Sequence, residues 1–120
     1  MAFPRNAAVI IDNSGSTSMK SGITHKESGH EMTVLDRHVM TAAVYLTNFP
    51  KKGSYRIISS HRLNPAGYYD FDNTDDAIEY LFTLRPGGVG FNRNGDELAK
   101  VTKDYNNVLL IVDEQLRNVL

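Results

Sequence analysis

Three oxygen-bearing side chains at two-residue steps, Asp12, Ser14 and Ser16, follow the apolar run 7–11 (AAVII). A carboxylate and two hydroxyls so closely spaced are hard donors, which suit Mg2+, Mn2+ or Ca2+ and suit zinc or copper poorly. Gly15, between the serines, would let the backbone bend sharply. The same residues also read as a plain Ser/Gly turn with Asp12 as its cap. A second aspartate, Asp113, ends the most apolar run of the chain, 108–112 (VLLIV), and a Gly-rich stretch at 85–94 (RPGGVGFNRN) lies between the two in sequence. An open α/β sheet binds ligands at the carboxyl ends of its strands, so two strands that each end on aspartate would bring both to one edge.

The elements needed to position these groups can be followed along the chain. Residues 7–12 read as a buried strand. Residues 13–32, rich in Ser, Gly and Thr, show no periodicity and are expected to form a long loop. Within it His25, Glu27, His30 and Glu31 have no spacing specific for zinc, and there are no thiols to support such a site. Thr33 opens a helix, with Asp36 completing a variant capping box. Leu35, Val39, Ala42, Ala43 and Leu46 line one helical face, broadened by Val34 and Met40, with His38 beside it as a packing residue. Pro50 stops this helix. Residues 54–60 read as a second strand, and residues 68–71 as a short strand paired with it in a hairpin. Asn73 or Thr74 caps a further helix, with Asp75 and Asp76 in its first turn and Ile78, Leu81 and Phe82 on its apolar side. Asn94 and Glu97 make a capping box for a helix holding Leu98 and Val101. Residues 108–112 have the composition of a fully buried strand, and 114–120 leave room for two helical turns. The expected fold class is α/β: a Rossmann-like three-layer arrangement, mostly parallel, with one antiparallel hairpin strand, formed as one domain over 1–120.

Composition narrows the functional classes. The 120 residues are 41% hydrophobic and 22% charged, as in ordinary globular chains. Thirteen basic and 14 acidic residues leave a net charge of −1, so no field recruits nucleic acid or an anionic membrane. The absence of cysteine excludes disulfides, thiolate catalysis and sulfur-ligated metals. With no signal-like start and no run of membrane-spanning length, the expected location is cytoplasmic.

The order of these features resembles the von Willebrand factor A domain over nearly the whole chain. Asp12, Ser14 and Ser16 match the family's D-x-S-x-S motif at the end of the first strand. Pro50-Lys51-Lys52-Gly53-Ser54, running into YRIISS, is similar to its P-x-x-G segment before the second strand. Leu84-Arg85-Pro86-Gly87-Gly88 resembles the family's L-x-P-G-G loop, and Asp113 its later strand-end aspartate. The resemblance implies a divalent cation, often Mg2+, held by the serines and a threonine hydroxyl. The aspartates would act mainly through water, and an acidic side chain of a partner protein would complete the octahedron.

Two departures stand out. Val89, Gly90 and Phe91 follow Gly88 where the family has threonine. Either Asn92 or Asn94 supplies an amide oxygen instead, or water takes that place, or metal binding is weak. The family also continues with further strands and helices, so the resemblance implies a truncated form. Its strand order (hairpin strand, second, first, last) would leave 108–112 at the sheet edge, where a second copy pairing antiparallel is the expected partner.

The function implied is a metal-assisted protein–protein interaction module rather than an enzyme. The alternative is a structural or assembly subunit with the same fold and no working metal site. A nucleotide-binding reading rests on Lys20 and Gly22 after IDNSGSTSM, similar to the first phosphate loop of actin-like ATPases. No P-loop is present. A hydrolase reading lacks both G-x-S-x-G and a histidine with sequence support for lying near the serines.

Overall fold

The structure, a computed structural model, describes residues 5–24, 29, 31–60, 67–87 and 95–112. Its elements are β1 (Arg5–Ile11), a 3₁₀ turn (Gly15–Ser18), β2 (Lys20–Thr24), β3 (Glu31–Thr33), α1 (Val34–Leu46), β4 (Lys52–Ser59), β5 (Tyr69–Asn73), α2 (Thr74–Leu81), α3 (Gly95–Thr102) and β6 (Val108–Ile111). The mixed α/β character and the mostly parallel sheet expected from the sequence are present. A four-stranded sheet has the order β5-β4-β1-β6, with β1 parallel to both β4 and β6, and β5 antiparallel to β4.

β1 is buried on both faces because helices cover the sheet from both sides, which explains its unbroken apolar run. Side chains alternate along a strand, and the core divides accordingly. Ala7, Val9 and Ile11 pack with Leu35, Val39, Ala42 and Leu46 of α1 and with Ala77 and Leu81 of α2. Ala8 and Ile10 pack on the opposite face with Ile58, Leu98 of α3 and Tyr105.

Local signals set the helix starts. Thr33 Oγ1 accepts from Asp36 N–H at 3.1 Å while Asp36 Oδ2 accepts from Thr33 N–H at 2.9 Å, a complete capping box. The buried stripe of α1 is Leu35, Val39, Ala42, Ala43 and Leu46, as its periodicity requires. At α2, Asn73 is the cap; its Oδ1 accepts from Asp76 N–H at 2.7 Å, an interaction worth about 1 kcal/mol. Gly53 lets β4 run close to β1, since a Cβ there would lie 2.0 Å from Asn6 Oδ1, the oxygen that accepts from Ser54 N–H.

Three expectations need correction. Part of the stretch 13–32 is ordered: β2 and β3 form an antiparallel ribbon, with a register shift where Gly22 has φ 84°. Met40 and Phe82 are exposed, and α2 buries Thr74, Ala77 and Leu81. Met40 lies at the margin of its helical stripe, and Phe82 is the C-cap of α2, one residue past the buried Leu81. β6 is not fully buried, because it is an edge strand. Val108 and Leu110 are 46% and 45% exposed, while Ile111 packs under α1. The bend expected at Gly15 is present as the 3₁₀ turn Gly15–Ser18, made without a positive φ. The suggested zinc residues His25, Glu27 and His30 lie outside the described residues, and Glu31 is half-buried in β3. No helix among the described residues is long and apolar enough to cross a membrane.

Candidate metal centre

β1 delivers Asp12 to the carboxyl end of the sheet, where it is clamped from both sides. Asp12 N–H donates to Ile111 O of β6 at 2.9 Å, and Ser60 N–H, at the end of β4, donates to Ile11 O at 3.2 Å. Asp12 is only 3% exposed. Its Oδ1 accepts from Ser14 N–H and from Ser60 Oγ–H, each at 2.9 Å. The first contact is an aspartate-initiated turn, in which the side chain takes the place of a main-chain carbonyl.

The loop then folds onto itself. Thr17, fully buried, donates to Ser14 O from both its N–H, at 2.9 Å, and its hydroxyl, at 2.6 Å. This holds the turn so that Ser14 Oγ and Ser16 Oγ are hydrogen-bonded to each other at 3.0 Å, with either able to donate. Asn13 ties the loop to its neighbours. Its N–H donates to Ser60 Oγ at 2.9 Å, its Nδ2 donates to Arg85 O at 3.1 Å, and its carbonyl accepts from Gly87 N–H at 2.9 Å. Ser60 Oγ–H, also 3.0 Å from Asn13 Oδ1, has one proton to share between that oxygen and Asp12 Oδ1.

Asp12, Ser14 and Ser16 are thus brought together, and the described start of the Pro-Gly stretch (Arg85, Gly87) lies against the same loop. Asp113, Asn92 and Asn94 lie outside the described residues. Two contacts went unread in the sequence. Ser60 had a signal, a hydroxyl at the end of the strand beside β1. His38 had none: its Nδ1 lies 3.0 Å from Asp12 O, which can only accept, so Nδ1 carries the proton. With Nδ1–H so held, Nε2 is the ring nitrogen left to accept a hydrogen bond. Lys20 and Gly22, the residues of the nucleotide reading, lie in β2.

The donor set fits a hard divalent ion. Neighbouring ligands of an octahedral Mg2+, at its usual bond lengths, stand about 2.9 Å apart, close to the 3.0 Å between the two serine hydroxyls. A buried ionised carboxylate needs compensation on both oxygens. Asp12 Oδ1 receives two donors, whereas Oδ2 receives none from any described residue. No cluster of three His, Cys, Asp or Glu side chains occurs among the described residues, so an ion here would rest on hydroxyls and water as much as on carboxylate.

Compared with known proteins, the chain matches no family model, no curated protein and no solved structure.

Proposed function

We propose that the loop after β1 is a divalent-cation site and that the protein is a binding module of the von Willebrand factor A type. A partner protein would be recognised through an acidic side chain that completes the coordination of the ion. The observation that carries this reading is the pair of hydroxyls, Ser14 and Ser16, 3.0 Å apart beside a buried carboxylate with one oxygen left without a donor among the described residues. Ser14 and Ser16 would bind Mg2+ or Mn2+ directly, Asp12 would act directly or through water, and positions left open on the octahedron would take water or the partner's carboxylate. The ion would supply charge and geometry for binding.

A second reading has its own observation. Asp12 Oδ1 already holds Ser14 N–H and Ser60 Oγ–H, so the loop is also a self-sufficient structural cap. On that reading the protein is an assembly subunit without metal.

Titration with Mg2+ and Mn2+, followed by calorimetry and melting temperature, separates the two. On the metal reading, millimolar ion raises the melting temperature of the native chain, as any ligand specific to the folded state does. Ser16→Ala removes that rise without touching the bonds of Asp12. Absence of both heat and shift in the native chain would retire the metal reading.

A further inference from the structure

The sheet has one edge whose chemistry invites a neighbour. Ala8 N–H donates to Asn107 O and Asp12 N–H to Ile111 O, both at 2.9 Å, in the parallel register Ala8↔Val108 to Ile11↔Ile111. In such a ladder the residues whose main-chain groups face β1 are 107, 109 and 111. The N–H and C=O of Val108, Leu110 and Val112 therefore turn to the open side, where no described residue accepts from or donates to them. The exposed side chains on this edge are Val108 and Leu110. Edge strands in monomers are ordinarily guarded by charge, proline or a bulge, and 108–112 (VLLIV) has no charged residue or proline.

We propose that β6 pairs antiparallel with β6 of a second copy of this chain, with Leu110 on the twofold axis. The outward set 108, 110 and 112 is symmetric about Leu110, so one register satisfies all of it. Leu110 exchanges both hydrogen bonds with its twin, and Val108 exchanges both with Val112 of the second copy, and the reverse. A twofold axis normal to the sheet keeps each face continuous, so only pairings between residues of like parity are allowed. The neighbouring allowed register, centred on residue 109, leaves Val112 without a partner. The twofold brings the two Leu110 side chains together on the face that carries α3, covering apolar surface exposed in the single chain. On the other face, a groove of about 440 Å³ between α1 and β6, lined by Val34, Arg37, His38, Thr41 and the strand itself, adjoins the seam. The seam is short, which places it among the smaller, reversible interfaces.

The test is sedimentation equilibrium of the full chain up to about 1 mM, the range in which contacts worth about 4 kcal/mol or more are populated. A concentration-dependent dimer is expected, and Leu110→Pro should abolish it. Proline there removes only an outward N–H and leaves the β1–β6 ladder intact, so its circular dichroism and melting curve should stay close to those of the native chain. Because the chain has no cysteine, Leu110→Cys provides a readout independent of that fold. Facing residues of a hydrogen-bonded antiparallel pair have Cα atoms about 5.5 Å apart, within disulfide reach. Mild oxidation should therefore cross-link Leu110→Cys and not Asp72→Cys on the opposite edge. A monomer throughout the range, a dimer that survives Leu110→Pro, or equal cross-linking at both edges would overturn the proposal.

Discussion

The two edges of the same sheet are finished in opposite ways. On the β5 side, Asp70 and Asp72 are exposed beside the open backbone, and Asp70 is gripped by Arg56 through paired bonds of 2.7 and 3.0 Å. The Arg56 guanidinium also lies 3.8 Å from the Tyr68 ring centroid and donates to Val101 O at 2.9 Å. One arginine thus joins β4, β5 and the end of α3, and carboxylates discourage another strand from adding beyond them. On the β6 side the positions exposed to solvent are Val108 and Leu110, with no charge to deter a neighbour. Among the described residues neither β5 nor β6 has a strand beyond it, so strand order does not distinguish the two edges. Side-chain chemistry does, and it marks one edge as an end and the other as a joint.

The largest effect expected from breaking this contrast lies within β6 itself. Ile111, 9% exposed, packs among Val9, Ile11 and Leu35, whereas Leu110 is 45% exposed. Ile111→Asp should remove more than about 3 kcal/mol of stability, since it buries a charge without a partner. Leu110→Asp should cost less than about 1 kcal/mol while preventing self-association. Urea unfolding of the two variants compares them directly; equal losses would mean that β6 is not an edge strand.

At the opposite edge, Arg56→Ala should cost about 1–3 kcal/mol, the range for a charge-assisted hydrogen bond together with lost packing. Arg56→Lys should recover less than half of that, because an ammonium cannot reproduce the planar fork. Full recovery would show that charge alone secures β5.

The smallest effect is alkaline. Burial pushes the Tyr80 hydroxyl above its ordinary value, opposed by a hydrogen bond with Ser59 and reinforced by Tyr69. Its ring lies under Tyr69 and Phe71 of β5, with centroids 5.0 and 5.4 Å apart. Above about pH 10 the unfolded chain loses this proton first, so the stability present below that pH declines as pH rises. Tyr45 and Tyr55, also raised by burial, contribute in the same direction. Tyr80→Phe should flatten part of the decline in urea midpoint between about pH 9 and about pH 11, by less than the cost of Arg56→Ala. An unchanged slope would place the β5 side outside the alkaline response.

What could be read from the sequence follows the range of each interaction. The cap and buried stripe of α1 depend on residues three and four apart, and both are legible in the sequence from Thr33 to Leu46. The gathering of Asp12, Ser14 and Ser16 is equally local. Ser60 on Asp12 spans 48 residues and His38 on Asp12 spans 26, and neither leaves a periodic trace. The β2–β3 ribbon was hidden for another reason. Its strands are short, rich in Ser, Gly and Thr, and carry a register shift, so no alternation marks them. The apolar run of β6 was misleading about burial because composition alone does not distinguish a central strand from an edge strand that meets a partner.

The position of β1 in the sheet has a consequence for the order of assembly. This early strand holds β4 on one side and β6 on the other, and the contact from Asn107 Nδ2 to Asn6 O, at 2.8 Å, closes a span of 101 residues. The link from Asn13 N–H to Ser60 Oγ closes only 47. During synthesis β1 therefore finds its first neighbour when β4 emerges and its second only after residue 108 is made. Until then its apolar run has one bare side, which makes the half-made chain the species most exposed to aggregation and to chaperones. Pairings so distant in sequence slow folding, and β6, the last of the described strands to be made, acts as a latch on the free side of β1.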